Sequence, residues 1–331
     1  MRFALMVEPQ QGMSYDDQLA AARHAEAGGF EGFFRSDHYE SFPGRSDRPT
    51  TDAWAVLAGL ARDTRTIRIG ALVSPVTFRT PGNLAKVIAT VDEMSGGRVD
   101  VALGAGWHEE EHRRHGFPFP PIGDRATMLE EQLTILDGLW NQPDGWSFDG
   151  RFYRIEDAQF RAKPTRRLHR IVGGEGSPRS LRIAARLADE FNVTGSSPER
   201  VADRFRALDE ACRAIGRDPS SIHRSAMVGT LIALDDAELR RRTGELMRLM
   251  GESGGGGGSP AGGAAGAGAA GAAEAWLAER RPRWIVGTPD ESRAMVARYA
   301  EAGCERLMLQ DFIPWDLDMI DLMGREIVGR M

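Results

Sequence analysis

IRIGALVSPVTFRTPGNLAKVIATVDEMSGGRVDVALG, residues 67–104, is the stretch that decides the fold. It opens on a short apolar run rich in β-branched residues (67–73) and passes through a loop to Pro81. An amphipathic helix then runs to Met94, closed by Gly96-Gly97, before a second strand-like run at 98–104. Proline suits the first turn of a helix and glycine the position past its end. Strand, helix and strand in one piece form the unit that lays parallel strands side by side through a right-handed crossover.

The same rhythm continues in both directions. Strands are predicted at 2–7, 30–34, 169–173, 190–194, 223–233 and 306–310, besides the two already named. Helices are predicted at 14–29, 53–63, 124–140, 177–188, 198–215, 235–250, 289–302 and 315–329. Eight strands alternating with helices over 331 residues fit a single α/β domain, a (β/α)8 TIM barrel with insertions. An open doubly wound sheet is the alternative. The glycine-rich turns speak against it: Gly104-Ala105-Gly106 lacks the third glycine of a dinucleotide fingerprint, and GGEGSPR (173–179) has the wrong spacing. Two segments read as insertions. Residues 141–164 form a hairpin-like stretch with Asp-Gly and aromatic residues. Residues 251–273 are nearly all Gly and Ala and are expected as a flexible loop, with a lid over the site as its functional reading and a helical second half when closed.

Composition narrows the function. A net charge of −6 argues against nucleic acid as the main partner, and no apolar run approaches the roughly 20 residues of a membrane span. The two cysteines, Cys212 and Cys304, exclude a disulfide framework or a cysteine zinc site and point to a reducing cytoplasm. Lys86 and Lys163 are the only lysines, which leaves few candidates for a Schiff base. A small-molecule substrate is the expected partner, and a homodimer the expected assembly.

In such a barrel the site gathers at the C-terminal ends of the strands. Glu8 follows the first strand and Asp37-His38 the second. Gly104-Ala105-Gly106-Trp107-His108 follow the fourth, and Gly173-Gly174-Glu175-Gly176-Ser177 the fifth. The last of these turns leads into a helix near Pro178, an arrangement that suits a phosphate, with Arg179 on its first turn. His38 is the acid–base candidate, with Asp37 expected to orient it or to hold the cofactor. Glu8, Trp107 and His108 are expected to shape the substrate pocket. His108-Glu109-Glu110-Glu111-His112 matches the zinc-protease signature, so a zinc hydrolase is a rival from another class. Gly116 and Pro118 cut that helix short, and a charged, solvated helix start is the plainer reading; no metal site is assigned.

These residues also carry a resemblance. FEGFFRSDH (30–38), Val73 to Arg79, NLAKVIATVDEMSGGRV (83–99), GAGWHEEEHRRHGFPFPP (104–121), IVGGEGSPRSLRIAARLADEFNV (171–193) and GTPDESRAMVARYAEAGCERLMLQ (287–310) resemble the luciferase-like flavin oxidoreductases, closest to their coenzyme F420-dependent branch. The resemblance implies a deazaflavin across the mouth of the barrel and hydride transfer to or from a small organic substrate. An FMN-dependent monooxygenase is the alternative. It implies that Asp37 and His38 stand near the reactive ring. It also implies a non-proline cis peptide around Ala71-Leu72-Val73, followed by Ser74, backing that ring. Ala105, Gly106 and Trp107 would contact the ring and its side chain, and Gly173 to Ser177 the phosphate. Trp107 stands where sugar-phosphate dehydrogenase relatives carry an acidic residue.

Overall fold

The computed structural model describes residues 1–45, 47–251 and 265–331. Its framework is a ring of parallel strands: β1 (Arg2–Val7), β2 (Gly32–Arg35), β3 (Arg68–Ala71), β5 (Asp100–Gly104), β8 (His169–Gly174), β9 (Glu190–Thr194), β10 (His223–Ile232) and β12 (Arg306–Asp311). Their order is β3-β2-β1-β12-β10-β9-β8-β5. The ring closes where Ile69 bridges Val99 and where β4 (Ser74–Pro75), which resumes the third strand after a cis peptide at Leu72–Val73, pairs with Leu103 and Gly104. The expected eight-stranded barrel is present. One further strand was not expected: β11 (Ile285–Gly287) adds to the far half of β10, from Thr230 to Ile232.

Period-two alternation divides the strand residues between two cores. Ala4, Met6, Phe34, Leu72, Ala102, Ile171 and Met308 fill the barrel. Their neighbours Leu5, Val7, Phe33, Val101, Val172 and Leu307 face the surrounding helices. The helices before β5 are α1 (Tyr15–Ala27), α2 (Ala53–Asp63) and α3 (Pro81–Ser95). Ser14 and Asp17 make a capping box on α1, and Asp52 caps α2 by accepting from Ala55 N. At the opposite end from the site, the barrel is plugged by charge: Arg306 lies 3.2 Å from both Asp100 and Glu190, all three buried.

The insertion at 141–164 is a hairpin, β6 (Trp146–Asp149) against β7 (Arg154–Ala158). Its tip is tied down by Glu131 of α5 (Ile122–Asn141), whose carboxylate accepts from the N–H groups of Arg151, Phe152 and Tyr153 at 2.7–3.1 Å. The Gly/Ala-rich stretch is split. Residues 252–264 lie outside the described residues. From Ala265 the chain is helical, in α9 (Ala265–Arg280), so the loop expected to reach 273 ends sooner. Among the described residues no helix is long and apolar enough to cross a membrane.

Candidate active site

A cavity of about 860 Å³ opens at the C-terminal ends of the strands, within the range of small-molecule and cofactor sites. Of the residues singled out in the sequence, Glu8, His38, Leu72, Val73, Ala105, Gly106, Trp107, His108, Gly173, Gly174, Glu175 and Ser177 line it. Asp37, Ala71, Ser74 and Gly176 do not. Ser74 is buried behind the wall, where its hydroxyl accepts from Trp54 Nε1 at 2.9 Å. Ala71 is wholly buried in the core between strand and helices. Gly176 has φ +78, and a Cβ there would stand 2.6 Å from Cδ of Arg204, on the helix Pro198–Arg213, so the position is packed against that side chain.

Asp37 departs from the expectation that it orients His38. It is 2% exposed, and its carboxylate is taken up by Arg79, at 2.5 and 3.3 Å. Arg79 also reaches Asp52 at 2.6 Å. Asp37 therefore ties the end of β2 to the loop before α3 and does not orient His38. The orienting group is Glu111, whose Oε2 lies 3.0 Å from His38 Nδ1. Its Oε1 accepts from Tyr39 N and, at 3.1 Å, from Glu40 N. Burial pushes the Glu111 carboxyl up, but His38 and the two N–H groups outweigh it and hold it below the ordinary carboxylate range. A carboxylate can only accept, so Nδ1 carries the hydrogen in the neutral ring. His38 Nε2 has no protein partner among the described residues, and the ring lines the cavity. It is the atom free to exchange a proton with a ligand.

The HEEEH segment is thus put to a different use from zinc binding. It forms α4 (Glu109–His115), with Glu111 and His112 buried and their neighbours at 109, 110, 113 and 114 exposed. Both ring nitrogens of His112 are occupied: Nδ1 donates to the His108 carbonyl at 2.7 Å, and Thr77 Oγ1 donates to Nε2 at 2.6 Å. Burial lowers the His112 pKa, in keeping with a neutral ring. Glu111, through His38, Tyr39 and Glu40, and His112, through Thr77, clamp α4 onto the segments that follow β2 and the third strand. The signal in the sequence was the spacing of 108, 111, 112 and 115, which marks one helical face.

The remaining walls differ in character. Val73 lies pinned between two glycines: a Cβ on Gly104 or on Gly173 would come within 2.6 Å of its methyl groups. Gly174 has nothing within 4 Å of where its Cβ would stand, so its backbone is open to the cavity. Beside it are Ser177, Arg179 and Ser180 at the start of α6 (Pro178–Leu187). Arg179 donates to Thr127 Oγ1 at 2.6 Å and has no carboxylate within ion-pair distance among the described residues. Glycine backbone, two hydroxyls and a cation at a helix start suit a phosphate. Near His38 the wall is aromatic. Phe42 lies 4.5 Å from the His38 ring, and Trp107, 66% exposed, stacks on His108 at 5.0 Å. On the β1 side, Ser36 donates to Gln10, and Gln10 and Gln310 both donate to Glu8. The size, the apolar Leu72–Val73 backing and the anion-suited corner together fit a flat tricyclic cofactor with a phosphate-bearing side chain.

Known proteins share this architecture. A family model described as luciferase-like monooxygenase matches residues 1–306. The chain is 28% identical over 314 residues to an F420-dependent glucose-6-phosphate dehydrogenase of Microbacterium testaceum, covering 93% of this chain and 90% of that one. It is 31% identical to an FMNH(2)-dependent dimethylsulfone monooxygenase of Pseudomonas putida, over 59% of this chain and 53% of that one. Among solved structures, an F420-dependent secondary alcohol dehydrogenase in complex with an F420-acetone adduct superposes with a TM-score of 0.81, at 20% identity, over 100% of this chain and 99% of that one.

Proposed function

The chain belongs to the luciferase-like monooxygenase family, and from that premise we propose that it is a coenzyme F420-dependent oxidoreductase with His38 as its acid–base residue. The observation that carries this reading is the His38–Glu111 pair at 3.0 Å, which leaves Nε2 free in the cavity. The near full-length match to an F420-dependent dehydrogenase supports the choice of cofactor.

Gly174, Ser177, Ser180 and Arg179 would hold the cofactor phosphate, and Leu72 and Val73 would back its ring. When bound, the deazaflavin supplies or takes up a hydride. His38 does the accompanying proton work. As an alcohol carbon gives up its hydride, neutral His38 Nε2 takes the hydroxyl proton and the C=O bond forms. In the reverse direction the imidazolium returns that proton to the carbonyl oxygen as the carbon gains the hydride, so one hydride and one proton, together two electrons and two protons, balance. Glu111 stabilises the imidazolium and fixes the tautomer, a positioning role. The Phe42, Trp107 and His108 rings would form an aromatic wall beside the reacting atoms. A cytoplasmic location goes with this reading, supported by Cys212 and Cys304 as buried free thiols.

The test is to supply reduced F420 or reduced FMN to the wild type and to His38→Ala, following cofactor oxidation and oxygen uptake. The proposal expects F420 oxidation only with a carbonyl substrate present, and its loss in the variant. Oxygen uptake with reduced FMN and an oxygenated product would replace it with a monooxygenase.

A further inference from the structure

The turn that suits a phosphate has a second cation packed against it. Arg204, on α7 (Pro198–Arg213), lies along Gly176: a Cβ on that glycine would come within 2.6 Å of its Cδ, 3.1 Å of its Cγ and 3.2 Å of its Nε. Only glycine lets the side chain lie this close, and φ +78 favours glycine there as well. Arg204 is half-buried. Its Nε is buried with no hydrogen-bond partner, whereas its two terminal nitrogens reach solvent and bond to nothing among the described residues. The charged end of the side chain is therefore open to a ligand. Gly174 pairs with Val193 in the sheet, so the turn after β8 and the loop after β9 run side by side. Thr194, at the end of β9, lines the cavity, and α7 begins at Pro198. The wall thus leads from Ser177 and Arg179 to the start of α7, where Arg200 is exposed one turn before Arg204.

Other arginines of the same two helices are taken up by acids: Arg186 by Glu130, Arg206 by Asp203 and Arg213 by Asp209. Arg179, Arg200 and Arg204 have no carboxylate within ion-pair distance among the described residues. The acids of the turn and of the first two turns of α7 are Glu175, exposed in the turn itself, Glu199, held by Arg298 at 2.6 Å, and Asp203. Three unpaired guanidinium groups against one unpaired carboxylate make a positive corner on a chain whose net charge is −6. A phosphate on the cavity side of the turn meets Arg179. Arg200 and Arg204, beyond the turn, are left for a second anion.

Building on the F420 reading, we propose that Arg204 and Arg200 form a second anion subsite, which takes the carboxylates of the cofactor's γ-glutamyl tail where it leaves the phosphate corner. F420 carries that tail beyond its phosphate, with at least one carboxylate on each glutamyl residue, whereas FMN ends at its phosphate. The subsite therefore favours one cofactor over the other. Each exposed ion pair is weak alone, but the phosphate tethers the tail, so the second contact forms at a high effective concentration.

The experiment titrates the full chain with two forms of oxidised F420, one with an oligo-γ-glutamyl tail and one that ends at the phospholactate. It is run at low salt and at about 1 M salt, in wild type, Arg204→Gln, Arg200→Gln and the double variant. Glutamine keeps the Cγ and Cδ that pack on Gly176 and removes the charge. The expected result at low salt is a Kd about fivefold or more lower for the tailed form, a preference that shrinks toward one at high salt. Each single variant reduces the preference at least twofold and the double variant removes it, while the Kd of the tail-less form stays within twofold throughout. Equal binding of the two forms by wild type overturns the proposal and leaves the cofactor reading standing. A preference that survives in the double variant, or variants that weaken both forms alike, also overturn it, the latter because Arg204 would then only support the turn. Should Arg204→Gln not fold, Arg200→Gln decides, since a preference it leaves whole overturns the subsite. Binding of neither form by wild type overturns the cofactor reading and the subsite together.

Discussion

His38 Nδ1 stands 3.0 Å from Glu111 Oε2, a contact that joins the end of β2 to the first turns of α4 across 73 residues of sequence. It fixes the His38 ring against a buried carboxylate and leaves the ring lining the cavity.

Replacing His38 by Ala should lower kcat by about 10²–10⁴, the usual worth of general acid–base catalysis, with cofactor Kd nearly unchanged. Glu111→Gln should reduce kcat less and alter its pH dependence, because the carboxylate that stabilises the imidazolium is gone. The clamp itself is acid-sensitive. Glu111 is held below the ordinary carboxylate range, so its contribution to stability is present above the unfolded value and lost as pH falls. Steady-state kinetics across pH, with thermal unfolding alongside, checks both effects.

Asp37 should behave as a structural residue. It is paired with Arg79 in a buried contact, and removing one partner of such a pair costs about 3–5 kcal/mol. Asp37→Ala should lower Tm by several degrees. Correctly folded Asp37→Asn should keep cofactor affinity within a few-fold of wild type. A fully stable Asp37→Ala with abolished turnover would restore the catalytic role expected from the sequence.

Gly174 separates binding from folding. Nothing lies within 4 Å of where its Cβ would stand, so Gly174→Ala should fold with an unchanged Tm yet raise cofactor Kd at least tenfold by blocking backbone approach. Gly104→Ala and Gly173→Ala should instead destabilise, since each methyl would come within 2.6 Å of Val73. Parallel thermal melts and cofactor titrations distinguish the two classes.

Asp311, at the end of β12, provides a pH test. Burial pushes its carboxyl up to about 7, although Ile313 N donates to Oδ1 at 2.8 Å. The folded state then binds more protons than the unfolded one between the ordinary value and 7. Stability from this group falls as pH rises through that window and stays low above it. Asp311→Asn should therefore gain stability relative to wild type at pH 8, by no more than about 4 kcal/mol, and the gain should vanish near pH 4. Chemical denaturation at the two pH values measures it.

The barrel was legible because apolar runs of strand length alternate with helical patterns capped by Ser14, Pro81 and Gly96. β11 was missed because Ile285 to Gly287 is too short to show a period. Most of the cavity wall followed from the rule that sites gather at strand ends. What escaped was side-chain direction. Asp37 and His38 are adjacent in sequence, yet alternation at the strand end sends them to opposite sides of the wall. Glu111 was hidden inside a string of acidic residues that reads as solvated, and its burial depends on a β2 loop distant in the chain.

The most direct test of the central claim is a side-by-side equilibrium titration of the purified chain with coenzyme F420 and with FMN. The account predicts saturable binding of F420, weakened at least tenfold in Gly174→Ala, and markedly weaker binding of FMN. Tight binding of FMN with none of F420 would contradict it and move the chain to the oxygen-using side of its family.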